Sequence, residues 1–133
     1  MIVVDTNIIA YLFLEGEFTS QAESLLLKET HWAAPVLWRS EFRNVLAHYL
    51  RKEILSLEQA QDIMIEAMNL LNGREYEIAS FQVLKFVSTC NCSAYDCEFI
   101  ALAQDLDAAL ITVDKIILNE FPSIAKHMDD YVS

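Results

Sequence analysis

Glycine and proline are scarce, two of each in 133 residues. Loop-rich all-β folds and low-complexity tails need many more turn formers, so neither suits this chain. Basic residues are scarce too: nine Lys plus Arg face twenty Asp plus Glu, for a formal charge of −11. That balance favours solubility and draws cations, whereas a surface built to hold phosphate is ordinarily basic. Long apolar runs are missing, and none approaches the roughly 18 residues of a membrane span. The run Ile2-Val3-Val4 meets Asp5 with no basic flank, so we expect neither signal peptide nor anchor, and no membrane. The only cysteines, Cys90, Cys92 and Cys97, are an odd number crowded together, which makes no disulfide framework and fits a reducing cytoplasm. Three thiols do not complete a structural zinc site either, because such sites take four ligands and no fourth lies nearby in the sequence.

What is abundant is apolar, 54% of residues, enough at this length for one core and one domain over residues 1–133. Short strand signals alternate with longer helical ones. Ile2 to Val4 reads as a buried strand, after which Asn7 is placed to cap a helix from Ile8 to Leu14. A helix is expected from Thr19 to Lys28, then an extended piece at Trp32 to Ala34. From Val36 to Lys52 the residues Trp38, Phe42, Val45, Leu46 and Tyr49 recur with helical period. A further helix runs from Leu57 to Leu71 and stops at Asn72-Gly73. Glu77 to Ala79 is a weak strand, Ser80 to Ser88 a helix, and Ser93 opens another helix whose stripe is Tyr95, Phe99, Leu102, Ala103 and Leu106. Ala109 to Val113 is a strand ended by Asp114. Strands alternating with helices predict a parallel sheet covered on both faces, with ligands outside the carboxyl ends of the strands.

Four acids stand where acids are uncommon. Asp5 and Asp114 end apolar strands, Glu41 lies on the apolar stripe between Trp38 and Val45, and Asp96 precedes Phe99 and Ile100. Each has an ordinary explanation alone: strand-end caps for Asp5 and Asp114, a capping box with Ser93 for Asp96, an arginine partner for Glu41. A single cleft lined by all four explains them together. Crowded carboxylates repel and lose hydration, which raises their pKa values or demands a cation. Hard oxygen ligands select Mg²⁺ or Mn²⁺, and such ions suit phosphodiester hydrolysis.

The segments Val3-Val4-Asp5-Thr6-Asn7, Trp38 to Leu46, Ser93 to Ala103 and Leu110-Ile111-Thr112-Val113-Asp114 resemble the four acidic motifs of PIN-domain ribonucleases, in the order and spacing of the VapC-type toxins of toxin–antitoxin pairs. The resemblance covers essentially the whole chain. It implies a three-layer α/β/α sandwich around a parallel sheet, homodimers, and RNA cleavage leaving 5′-phosphate and 3′-hydroxyl ends. It makes Asp5, Glu41, Asp96 and Asp114 the quartet holding Mg²⁺ or Mn²⁺. Thr6 and Thr112 would orient neighbouring carboxylates and Asn7 would support the first loop. It also implies an antitoxin partner that places a basic side chain in the acidic site.

Between Val36 and Lys52 four basic residues face Glu41 alone, a balance of +3 that leaves −14 for the rest. Arg39 and Arg43 are therefore candidate RNA contacts, together with Lys115, although both arginines should point away from Glu41. Trp38, Phe42 and Tyr95 are expected in the core rather than as base-stacking platforms. Tyr11, Leu12 and Phe13 are candidates for a dimer surface or for core. A two-histidine ribonuclease built on His31, His48 and His127 has no other support. A haloacid-dehalogenase-like phosphatase would need an Asp where Asn7 stands, and a receiver domain would need an acidic pair and a mid-chain phosphoacceptor. A metal-dependent phosphatase and a catalytically inactive PIN-like interaction module are the alternatives.

Overall fold

The computed structural model describes all 133 residues. Ile2–Val4 forms β1, three β-branched residues that are all buried. A strand hidden on both faces belongs inside a sheet with helices above and below. β1 is indeed the middle strand of five, in the order β3-β2-β1-β4-β5, with β2 at Trp32–Pro35, β3 at Glu75–Tyr76, β4 at Leu110–Thr112 and β5 at Ala125–His127. Every pairing is parallel. The chain builds outward from β1 through β2 to β3, then crosses back to add β4 and β5 on the other side. The switch point of the sheet thus falls between β1 and β4, where such folds open a crevice at the carboxyl ends of the strands.

Eight helices complete the fold: α1 (Thr6–Phe13), α2 (Thr19–Lys28), α3 (Trp38–Arg51), α4 (Leu57–Leu70), α5 (Ser80–Val87), α6 (Ala94–Leu106), α7 (Lys115–Glu120) and α8 (Met128–Val132). α6 lies on β1, β2 and β4 and carries α5, while α1 packs with α2, α3 and α4, and α8 joins α2. This is the expected α/β/α sandwich. Its core includes Trp32, Trp38 and Phe42, each without exposed surface. Both indoles find acceptors, Trp32 at the Glu29 carbonyl and Trp38 at Glu75 Oε1, and no buried side-chain polar atom lacks a partner. α4 opens with a full capping box between Ser56 and Gln59, and past its end Gly73 takes the left-handed φ of +78° that ends the helix cheaply.

Several expectations are corrected. The first helix begins at Thr6 with Asp5 at the N-cap position, so Asn7 lies inside the first turn, exposed, and caps nothing. The third strand is Glu75–Tyr76 rather than Glu77 to Ala79, because its register is set by parallel pairing with Ala34 and Pro35. Tyr95 is 62% exposed and stands off the α6 stripe, which buries Phe99, Ile100, Leu102 and Ala103 instead. Tyr11, Leu12 and Phe13 are half-buried against the core. β5 and α8 had no counterpart in the sequence reading. Ala125-Lys126-His127 carries little strand propensity, and it is pairing with β4 that makes it a strand.

Candidate active site

Register explains the first half of the site. Val4 pairs with Ile111, which brings Asp5, one residue further on, level with Thr112. The Asp5 amide donates to the Ile111 carbonyl at 3.1 Å and the Thr112 hydroxyl donates to Asp5 Oδ2 at 2.9 Å. The same hydroxyl accepts from the Asp114 amide at 3.0 Å, so one threonine fixes both strand-end acids. Although Asp5 occupies the N-cap position of α1, its carboxylate makes no capping hydrogen bond and is directed to the sheet edge instead.

Glu41 arrives in the first turn of α3, which buries Trp38, Phe42 and Leu46 and packs on α1 and α4. The buried Thr6 hydroxyl donates to Glu41 Oε1 at 2.7 Å, which ties α3 to the start of α1. No arginine pairs with Glu41. Asp96 sits in the first turn of α6, where its amide donates to the Ser93 hydroxyl at 3.0 Å. Asp114 is the N-cap of α7, and its Oδ1 accepts from the Ile116 and Ile117 amides at 2.9 and 3.0 Å. All four acids therefore stand at helix N-termini. Each such end carries partial positive charge worth about 0.3–1 kcal/mol to a nearby anion, which offsets only part of the repulsion.

These acids lie close enough for their charges to act on one another. Burial pushes Asp5 up to about 6, against the lowering hydrogen bond from Thr112, and the charges of Asp96 and Glu41 raise it further. Burial likewise raises Glu41, with Asp96 adding to the shift, and raises Asp96, with Asp114 adding to it. None of the four takes part in an ion pair. The donor set suits a hard divalent cation: oxygen only, with Glu41 Oε2 and Asp114 Oδ2 free of protein partners. No three of the acids bring ligand atoms within 4.8 Å of one another.

Beside this cluster a shallow cleft of about 290 Å³ is lined by Leu37, Ser40, Glu41, Asn44 and Tyr95. Tyr95 was missed as a site residue because its helical spacing matched the core stripe. Glu98 was missed as well; it is half-buried on α6, and burial followed by the charge of Glu41 raises its pKa. Arg39 has a different partner from the one expected. Its guanidinium grips Glu75 on β3 with two bonds of 2.6 Å, and Glu75 also accepts from Trp38, so Arg39 is committed to the sheet edge. Arg43 is exposed, with one amino group on the Ser40 hydroxyl at 3.0 Å, and Lys115 is exposed beside Asp114. Thr6 and Thr112 contact the neighbouring acids, whereas Asn7 makes no hydrogen bond with them.

Three comparisons bear on this arrangement. The chain is 25% identical over 126 residues to Ribonuclease VapC3 of Pyrobaculum aerophilum, covering 92% of this chain and 96% of that one. In structure it resembles a toxin–antitoxin complex from Klebsiella pneumoniae (TM-score 0.70, 18% identity) and FitAcB from Neisseria gonorrhoeae (TM-score 0.72, 16% identity), each over 96% of this chain and 98% of the other. VapBC2 from Rickettsia felis, solved bound to a DNA fragment from its promoter, matches over the same shares with a TM-score of 0.64 and 17% identity. These structural likenesses establish the sandwich. The PIN domain family model matches residues 2–123, a span that holds all four acids and both threonines, and the chain therefore belongs to the PIN domain family.

Proposed function

We propose that this chain is a metal-dependent endoribonuclease of the VapC type, the toxin of a toxin–antitoxin pair, acting as one domain in the reducing cytoplasm where its three free thiols persist. The observation that carries the reading is the convergence of Asp5, Glu41, Asp96 and Asp114 from two strand ends and two helices, with no protein cation among them. The related VapC3 of Pyrobaculum aerophilum is a ribonuclease, and the Klebsiella structure pairs a toxin with an antitoxin.

Asp5, Glu41, Asp96 and Asp114 would hold Mg²⁺ or Mn²⁺, with Thr6 and Thr112 fixing the orientation of Glu41 and Asp5. Bound there, the ion supplies Lewis acidity toward a phosphodiester and acidifies a water for hydrolysis. Arg43 and Lys115, both exposed, are the basic residues left for backbone phosphates, and the exposed ring of Tyr95, beside Glu41, offers a face on which an unpaired base stacks. Arg39 is withdrawn from that role by Glu75. An acidic cleft in a chain of charge −11 also suits an antitoxin that inserts a basic side chain among the four carboxylates. Homodimerisation belongs to the same reading, with Tyr11, Leu12 and Phe13 keeping part of their surface for it.

The test is incubation of the purified chain with single-stranded and structured RNA, with Mn²⁺ or Mg²⁺ and with chelator. Cleavage should require the ion and vanish in Asp5→Asn and Asp96→Asn. Cleavage in chelator, or cleavage surviving both substitutions, would overturn the mechanism.

A further inference from the structure

The three cysteines meet an acid that the sequence keeps far from them. Cys90 and Cys92 lie in the loop after α5, Cys97 lies in the first turns of α6, and Glu120 is the last residue of α7. The ligand atoms of Cys90, Cys92 and Glu120 all lie within 4.8 Å of one another. Cys90 Sγ stands 3.6 Å from Cys97 Sγ, and Cys92 Sγ stands 3.4 Å from Glu120 Oε2. A tetrahedral zinc ion, with Zn–S about 2.3 Å and Zn–O about 2.0–2.2 Å, separates two thiolates by roughly 3.8 Å and a thiolate from a carboxylate by roughly 3.5 Å. Cys97 Sγ, beside Cys90 Sγ, stands outside that 4.8 Å set and completes a tetrahedron by turning its side chain toward Cys92 and Glu120. Glu120, supplied by α7, is the fourth ligand that the local sequence lacks.

We infer that Cys90, Cys92, Cys97 and Glu120 form a structural Zn²⁺ site, separate from the acidic quartet. The carboxylate is already oriented: the Asn91 amide donates to Oε2 at 2.9 Å and to Oε1 at 3.2 Å, and the Asn91 side-chain amide donates to Oε1 at 3.1 Å. Outer hydrogen bonds of this kind hold metal ligands in place. Cys92 and Cys97 are buried, while Cys90 and Glu120 keep partial access, which gives a closed site with an entry side. Thiolate softness selects zinc here, as carboxylate hardness selects Mg²⁺ or Mn²⁺ in the quartet. Binding replaces thiol protons, which pass to solvent, and no electron moves. The ion would staple the N-terminal turn of α6, where Cys97 adjoins Asp96, to α7, whose N-cap is Asp114. It would support two catalytic acids from outside the cleft, and it does not depend on the ribonuclease reading.

The test is titration of the metal-free, reduced full chain with Co²⁺, then Zn²⁺. One equivalent of Co²⁺ should give a thiolate-to-cobalt charge-transfer band with tetrahedral d–d absorption, and Zn²⁺ should displace it. Asp5→Asn and Asp96→Asn should keep the band. Cys92→Ser and Glu120→Gln should weaken affinity at least about tenfold, the second without disturbing the fold, since glutamine still accepts from Asn91. One equivalent of Zn²⁺ should raise the melting temperature of the wild-type chain and not of Cys92→Ser. Absence of a thiolate band, affinity unchanged in Cys92→Ser and Glu120→Gln, loss of the band in the quartet variants, or a Cys90–Cys97 disulfide in place of metal in the protein purified without reductant would each overturn the site.

Discussion

Asp5 shows what the site costs a single residue. Its carboxyl is shifted up to about 6 by burial and by two neighbouring carboxylates, above the ordinary value of 3.8 that the unfolded chain keeps. Between those values the folded state holds more protons than the unfolded one, so stability falls as pH rises through this window, and the full penalty is present at pH 7. Asp5→Asn should therefore raise the melting temperature of the metal-free protein at pH 7, with the gain shrinking as pH falls from about 6 toward about 4, while abolishing cleavage. A thermal melt series over pH checks it, and a loss of stability at pH 7 would mean that the Thr112 contact outweighs the repulsion. That four acids are misplaced was legible in the sequence, since each interrupts an apolar pattern. That Thr6 and Thr112 orient carboxylates was expected only through resemblance, their pairing with Glu41 and Asp5 emerges only in the fold, and the Arg39 to Glu75 pair was hidden because it joins residues brought together by the β2–β3 edge.

At the scale of elements, α7 depends on the site it serves. Asp114 caps this six-residue helix with Oδ1 and leaves Oδ2 without a protein partner. Asp114→Asn should keep the cap and lose the cation ligand. Asp114→Ala should lose both, and cost about 1 kcal/mol more stability than Asn. Chemical denaturation of the two variants separates the roles; equal stabilities would deny the cap any weight. At the opposite edge β3 is only two residues long, so its pairing with β2 leans on the Arg39 clamp. Arg39→Ala should speed hydrogen exchange at the Ala34 and Val36 amides, which bond to Arg74 and Tyr76 across that edge, while RNA affinity should change little. Long periodic helices such as α3 and α4 were readable from spacing alone. β3 and β5 were not, because short edge strands take their register from neighbours rather than from their own residues.

At the scale of the whole molecule, the surplus of negative charge and the raised carboxyls predict one joint response. Mn²⁺ or Mg²⁺ should raise the melting temperature by binding the native state, and the rise should fade as pH drops through about 6, where protons compete for Asp5. Differential scanning calorimetry with and without the ion tests this, and a rise undiminished at pH 5 would place the binding elsewhere. The architecture was legible from alternation of strands and helices, and the charge from composition, but the exposure of Tyr95 beside Glu41 was not, because Tyr95 shares its spacing with buried residues. The Thr112 to Asp5 bond spans 107 positions of chain, from the fifth residue to nearly the last strand. A polypeptide still being translated that ends short of β4 has neither Asp114 nor the strand against which Asp5 is aligned. The two strand-end acids are thus aligned only once β1 and β4 have paired, so this half of the cluster is a product of long-range folding and has no local precursor.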